Sequence, residues 1–127
     1  MSESYTSAFV NKLIADFQKG EKHSSYEKLN EFVNKYPQDE TARYNLACMC
    51  EELNYLDLAK NNYKKIIIKN SHHWKSKFNL YLIYIKEKSF EKALKLVNEV
   101  LKIKPNYQPA LRDKAVILYY LKKPDEG

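Results

Sequence analysis

Three asparagines and one aspartate recur in this sequence at a fixed interval of 34 residues: Asn11, Asn45, Asn79 and Asp113. A carboxamide both donates and accepts hydrogen bonds, so it can satisfy the N–H and C=O groups of a peptide unit whatever the side chain. The same amides can instead bond to neighbouring helices of their own chain. The interval therefore predicts either a ladder that grips a peptide backbone or a purely structural series.

The residues that usually carry catalysis or bind metals are not arranged for either purpose. Cys48 and Cys50, the only cysteines, point to nearly opposite sides of a helix, which predicts two reduced thiols, one buried and one lining a surface. His72 and His73 lack further ligands at a zinc-binding spacing, and no Ser or Cys has a His placed as its base. With two glycines there is no phosphate-binding glycine loop. We expect no catalysis, no metal and no cofactor within these residues.

The interval of 34 extends to the helices that must position these side chains. The segment Ser89–Asn106 falls on Tyr55–His72 when it is moved back by one period, which is typical of a repeat architecture. Each period contains two helical runs, separated by turns at Gly20, Asn54 and Lys88-Ser89 and ended near Pro37, Ser71 and Pro105. The pattern predicts first helices at about 5–19, 40–53, 74–88 and 108–121, and second helices at about 24–35, 56–70 and 90–104.

This pattern resembles the tetratricopeptide repeat (TPR) family over about residues 5–121. The third repeat has leucine, tyrosine, alanine and proline where the family has them, at Leu80, Tyr84, Ala93 and Pro105. The first repeat departs from the family, because Lys12 and Ser25 replace its usual leucine and alanine, and Tyr81 occupies a site that is normally small.

The resemblance implies an all-α fold, a right-handed superhelical solenoid of about seven antiparallel helices. It further implies a single domain over 1–127, with repeats at about 6–39, 40–73 and 74–107 and a terminal helix at 108–121. Stacked repeats share one core, so the recurring apolar positions should be buried: Cys50, Tyr63, Tyr84, Val97 and Leu118.

The resemblance also implies a concave groove lined by the first helices, in which the family holds extended or helical peptides. Apolar grooves usually mark a partner site, so a protein- or peptide-binding scaffold is the leading hypothesis. The best candidates for contacts are Tyr44, Asn45, Lys75, Phe78 and Asn79. Family geometry also places in the groove Val10, Asn11, Ile14, Cys48, Leu82, Arg112, Asp113 and Val116, with Glu51, Glu52, Ile85, Lys86, Tyr119 and Tyr120 toward its edges.

One known use of the family is a clamp of lysines, an arginine and asparagines that holds the C-terminal carboxylate of a chaperone tail. Asn45 and Lys75 fit that clamp, but Val10, Ile14 and Asn79 stand where a lysine, an asparagine and the arginine belong. When the clamp positions are counted over repeats two to four instead of one to three, Asp113 stands where the arginine belongs, and its carboxylate would repel the carboxylate of the tail. The sequence therefore predicts that this clamp is absent.

The charge is uneven along the chain. Up to Asn61 there are 7 basic and 10 acidic residues, a net charge of −3, and from Asn62 onward there are 15 and 6, a net charge of +9. Binding of nucleic acid by the basic C-terminal half is the alternative of another class. It is the weaker one, because most tyrosines fall at core or groove positions and the lysines are scattered.

The terminal helix carries more apolar residues than one face can bury. It suggests a contact with a partner or a second copy of the chain through Leu111, Ile117, Tyr119, Tyr120 and Leu121. Alternatively, the KPDEG segment at 123–127 begins a further helix, and the chain is the N-terminal docking region of a longer enzyme such as a glycosyl- or sulfotransferase. No signal peptide and no apolar run of about 20 residues is present, so we expect a cytoplasmic location and no membrane insertion.

Overall fold

The computed structural model describes residues 3–122, with side chains from Ser7 onward, and these residues form helices and no strand. Each helix begins and ends within two residues of its predicted position. The KPDEG segment lies outside the described residues. The helices are α1 Glu3–Gln18, α2 Lys22–Lys35, α3 Glu40–Glu52, α4 Leu56–Lys69, α5 Trp74–Lys86, α6 Phe90–Ile103 and α7 Gln108–Leu121.

The chain separates into two compact units, one ending at Asn62 and the other beginning at Tyr63, so the division falls within α4. In the first unit α2 packs against α1 and α3, and in the second unit α6 packs against α5 and α7. Because Asn62 is neutral, the division also separates the acidic from the basic part of the sequence. The single domain inferred for 1–127 stays a prediction.

The turns inside the helical pairs repeat the same backbone geometry every 34 residues. Gly20, Asn54 and Lys88 have positive φ angles of 115°, 63° and 62°. In each case the next residue donates its N–H to the carbonyl five residues earlier, at 3.1, 2.8 and 2.8 Å in chain order. This is the Schellman arrangement, in which a left-handed residue ends a helix and satisfies its last carbonyl groups. The three predicted turns are therefore confirmed.

Side-chain caps fix where two of the first helices begin. An Asp39 carboxylate oxygen accepts from the N–H of Ala42 at 3.0 Å, and Nδ1 of His73 accepts from the N–H of Ser76 at 3.2 Å. Each bond satisfies one of the donors that a helix start leaves open. The cap at His73 shows that this imidazole has a local structural use.

The second helices bury side chains at the same three positions of every period. Small residues allow close helix approach, and larger residues fill the space around them. Among the recurring positions predicted to be core, Cys50, Tyr63, Tyr84 and Val97 are buried. The recurring buried positions are Ser25, Leu29 and Phe32 in α2, Ala59, Tyr63 and Ile66 in α4, and Ala93, Val97 and Val100 in α6, and α2 buries Val33 in addition.

The terminal helix α7 departs from the predicted burial pattern. Ile117 is completely buried, whereas Leu118, predicted to be core, is 37% exposed. Ala110 and Ile117 lie two turns apart on the buried face of a helix that packs against α6. Within residues 3–122 no later helix follows to cover the side that carries Leu118. The partner contact predicted for Ile117 is therefore wrong, because its side chain is not accessible.

The first helix also departs from the repeat pattern. From Ser7 to the end of this helix the buried residues are Val10, Leu13 and Phe17, whereas Lys12 is exposed and forms an ion pair with Asp16 at 3.0 Å. Placing Val10 in an accessible groove was wrong, since only 4% of it is exposed. Within the first unit α1 packs against α2. The apolar stripe formed by its buried residues is narrow, and it is wide enough to pack against this one helix.

Candidate functional site

An accessible stripe runs along α5. Lys75, Phe78, Asn79 and Leu82 follow the spacing i, i+3, i+4, i+7 and so share one face of the helix. None of the four is buried, whereas the opposite face buries residues such as Leu80. The same register is accessible on α3 and α7. Taken helix by helix within each unit, these positions are called the first-helix stripe: Tyr44, Asn45 and Cys48 on α3 of the first unit, and Lys75, Phe78, Asn79 and Leu82 on α5 and Arg112, Asp113 and Val116 on α7 of the second unit.

Aromatic rings support the start of the stripe in the second unit. Phe78 contacts Tyr107 and Tyr81 edge to face, with ring centroids 5.5 and 5.1 Å apart, and Trp74 lies 5.0 Å from Tyr107. The Nζ atom of Lys104 lies 4.5 Å from the centroid of the Trp74 ring. Such contacts hold large rings in fixed positions. The half-buried Phe78 ring therefore forms a firm apolar surface beside the exposed Lys75.

The predicted asparagine ladder is engaged in hydrogen bonds within the chain. Nδ2 of Asn45 donates to the carbonyl of Thr41 at 2.9 Å, and Nδ2 of Asn79 donates to the hydroxyl of Tyr63 at 3.2 Å. Asn11 is exposed on α1. An amide group has two donor hydrogens and an acceptor oxygen. The bond to Thr41 orients the Asn45 amide, and the bond to Tyr63 orients the Asn79 amide.

Asp113 receives the hydroxyl of a buried tyrosine. The Tyr81 side chain is completely buried, and its O–H donates to Oδ2 of Asp113 at 2.7 Å. Burial raises the pKa of Tyr81, and the bond to the Asp113 carboxylate raises it further. The large residue at this normally small site thus connects α5 with the half-buried carboxylate on the α7 stripe.

The two cysteines differ in accessibility, as predicted. Cys50 is buried and Cys48 is half-buried. Burial raises the pKa of Cys50 to about 11, although a hydrogen bond with Tyr26 lowers it in part. A thiol in this state is protonated at neutral pH and is a poor nucleophile.

The outer side of α7 exposes apolar surface. Tyr120 stacks on Phe90 with ring centroids 4.9 Å apart and ring planes at 7°, yet about half of Tyr120 stays exposed. Leu121 is half-buried. The other exposed apolar residues of this helix are Leu111, Val116, Leu118 and Tyr119. Apart from Ile117, the residues predicted as partner contacts are therefore accessible, and their role stays a prediction.

Sequence reasoning missed a buried ion pair between α5 and α6. Nζ of Lys77 lies 2.8 Å from a carboxylate oxygen of Glu99, and the Lys77 side chain is 7% exposed. Lys77 lies at a buried position of α5, and its partner Glu99 is 22 residues further along the chain, so no local sequence pattern links the two. The available signal was a charged residue among mostly apolar residues on the buried face of α5.

The described residues contain no group of three or more His, Cys, Asp or Glu side chains placed to hold a metal ion. From Glu3 to Lys122, no helix is both long enough and apolar enough to cross a membrane.

Several solved structures share this fold. The first TPR of Spaghetti (RPAP3), bound to the HSP90 peptide SRMEEVD, matches with a TM-score of 0.84 and 16% identity, over 96% of this chain and 97% of that one. A crystal structure of MamA matches with a TM-score of 0.79 and 19% identity, over 89% of this chain and 68% of that one. The Yersinia enterocolitica type III secretion translocator chaperone SycD matches with a TM-score of 0.76 and 10% identity, over 97% and 85%.

No protein-family model matches the sequence, and a search of curated proteins returns no match. The structural matches, together with the seven helices described, show that the chain has the all-α solenoid fold of TPR proteins. At these levels of identity they show the fold alone.

Proposed function

We propose that this chain is a protein- or peptide-binding scaffold and that the first-helix stripe makes the contacts. The observation that carries the proposal is the stripe on α5, where the exposed Leu82 and the half-buried Phe78 flank the amide of Asn79. Apolar side chains anchor a peptide, and an amide can bond to its backbone. The same register on α3 offers Tyr44 and Asn45 for the same use within the first unit.

The structures with the same fold support this class of function. The RPAP3 domain is bound to a peptide, and SycD is a translocator chaperone. Both proteins therefore have protein partners, which supports protein binding by this chain. Which partner this chain binds depends on its own side chains.

The expected ligand differs from the chaperone tail bound to RPAP3. Of the clamp positions, Val10 is buried and Asn79 takes the place of the arginine. Asp113 adds a negative charge on α7, which disfavours a terminal carboxylate there. We therefore expect a peptide held through apolar side chains and internal backbone groups.

The experiment uses peptides selected from a displayed random library on the full chain, with fluorescence anisotropy as the readout. Asn45→Ala combined with Asn79→Ala should weaken a selected peptide by about tenfold, the size expected for the loss of hydrogen bonds at the centre of an interface. The melting temperature should fall only slightly, because the variant loses one hydrogen bond to the buried Tyr63 hydroxyl and keeps its apolar core.

The matched control replaces two exposed asparagines outside the stripe, Asn61→Ala with Asn106→Ala, and should leave affinity unchanged. Unfolding of the Asn45 and Asn79 variant would show that the ladder is structural. Unchanged affinity of a folded variant would show that these asparagines do not contact the peptide.

A further inference from the structure

A second apolar recess lies within the second unit, away from the first-helix stripe. Its volume is about 350 Å³, and it is open to solvent between the last turns of α4 and the middle of α6. Leu80 and Tyr84 of α5 lie beneath it, and Ile67, Ile68 and Leu96 form its apolar walls. We call it the second-helix groove. It shares no residue with the first-helix stripe.

Its apolar walls break the repeat pattern. Ile68 is 82% exposed, and the residues one period before and after it are polar, Asn34 and Lys102. An isoleucine side chain exposed to this extent contributes nothing to its own fold by burial. Leu96 is likewise apolar where the preceding repeats have polar residues, Lys28 and Asn62. Ile68 and Leu96 are therefore apolar only in this pair of second helices, whereas Ile67 has the apolar equivalents Val33 and Leu101.

The rim of the groove is positively charged. Lys64, Lys92 and Lys95 line it, and the only carboxylate among its lining residues, Glu99, is paired with the buried Lys77 at 2.8 Å. Among the described side chains, neither Lys64 nor Lys95 forms an ion pair. Nζ of Lys92 lies 5.6 Å from the Tyr84 ring centroid, over the aromatic wall. The rim thus offers three positive charges around an apolar floor.

We propose that the second-helix groove binds an amphipathic helix of a partner protein whose apolar anchors are flanked by Asp and Glu. Charge complementarity selects this occupant, since lysines on both sides of the groove would meet carboxylates on both sides of an apolar ridge. The helix-in-groove mode needs an apolar channel with accessible walls, which α4 and α6 provide.

A membrane is a poorer fit to the same surface. Anionic membranes are usually bound by clusters of about four to eight basic residues, and by an apolar face that protrudes into the lipid. Here three lysines surround a recess, into which lipid headgroups would have to fold. A helix with a ridge of apolar side chains fills a recess directly.

The test uses helical peptides from a displayed library, selected on the full chain and depleted on the variant Lys64→Glu, Ile68→Asn, Lys95→Glu. All three positions are exposed, and Asn is the residue that the first repeat has at the position of Ile68. Circular dichroism and the melting temperature check that the variant folds. Depletion removes peptides that bind the first-helix stripe, so failure here is distinct from failure of the proposed function.

The surviving peptides should be rich in Asp and Glu around apolar residues at helical spacing. Ile68→Asn alone should weaken them by about tenfold or more, as expected for loss of an apolar anchor, and added salt should weaken them further. Lys102→Glu, an exposed change on α6 outside the groove, should leave affinity unchanged.

Three results would overturn the proposal. The first is that no peptide survives depletion. The second is that peptides with Lys in place of Asp and Glu bind equally well. The third is that vesicles of phosphatidylglycerol bind the chain through the same lysines while acidic peptides do not, which would assign the groove to membranes.

Discussion

The hydroxyl of Ser76 is buried and has no hydrogen-bond partner within the described part of the chain. One period earlier and later the same position holds Ala42 and Ala110, and all three residues are completely buried. A buried hydroxyl without a partner costs about 1–3 kcal/mol, and alanine is also the better helix former. Ser76 thus lowers the stability of the fold at a position that is apolar in the neighbouring repeats.

Ser76→Ala should therefore raise the free energy of unfolding by about 1 kcal/mol, measured by urea denaturation. The reverse change at the equivalent site, Ala42→Ser, should lower it by a similar amount. A loss of stability in Ser76→Ala would mean that the hydroxyl has a partner, such as a buried water.

The Tyr81–Asp113 bond makes stability depend on alkaline pH. The pKa of Tyr81 in the folded chain is raised above its ordinary value of 10.0, so its contribution is complete below pH 10 and is lost as pH rises above that value. Tyr81→Phe removes both the bond and this dependence. At neutral pH the variant should be less stable by about 1–2 kcal/mol.

The stability difference between the wild type and Tyr81→Phe should shrink as pH rises from about 9 to 11. Urea denaturation at each pH gives this difference, and Tyr120→Phe, on the half-exposed side of α7, is the control. A difference that stays constant with pH would show that Tyr81 ionises equally in the folded and unfolded chain.

The turns at Gly20, Asn54 and Lys88 are the features of the elements that sequence reasoning located best. Their backbone is left-handed in all three cases, a conformation that glycine adopts without cost and other residues adopt at about 1 kcal/mol. The sequence uses glycine at one of them only. The lysine at the third turn is therefore strained.

Lys88→Gly should stabilise the chain by about 0.5–1 kcal/mol, because it relieves this strain at an exposed site. Gly20→Ala should destabilise it by about 1 kcal/mol or more, since its φ is +115° and a new Cβ would meet no atom within 4 Å, so that only the backbone is strained. Both are measured by urea denaturation. Lower stability of Lys88→Gly would show that its side chain contributes more than its backbone costs.

The helix bounds were predictable because the 34-residue interval repeats local signals. The faces of α1 and α7 were not, since a helix at the end of the described series packs against fewer neighbours than one in the middle. Leu118 is therefore exposed, and the buried face of each end helix lies elsewhere, at Val10 in α1 and at Ile117 in α7. The position of a residue within its repeat predicts its burial only where the neighbouring helices of the repeat pattern are present on both sides.

The candidate site was predictable only as a set of positions. The interval located Asn79 and Asp113, but the bonds to Tyr63 and Tyr81 join residues 16 and 32 places apart. Such bonds depend on how the helices pack. The second-helix groove was missed for a different reason, although Ile68 between Asn34 and Lys102 in the repeat alignment was a usable signal.

At the scale of the whole molecule, the charge is divided between the units. The first unit is acidic, and the second carries both the basic excess and the second-helix groove. A basic half also suits nucleic acid, but phosphate binding would fall steeply with salt. We propose that the first-helix stripe binds peptide through apolar and amide groups, so binding there should depend weakly on salt.

The central claim is that the first-helix stripe binds peptide, and the most direct measurement compares two exposed leucines. Leu82 lies on the stripe and is 37% exposed, whereas Leu58 lies on α4 and is 47% exposed. The dissociation constant of a library-selected peptide is measured for wild type, Leu82→Glu and Leu58→Glu. We expect a loss of about tenfold or more for Leu82→Glu and none for Leu58→Glu. Equal affinity of Leu82→Glu and wild type would contradict it.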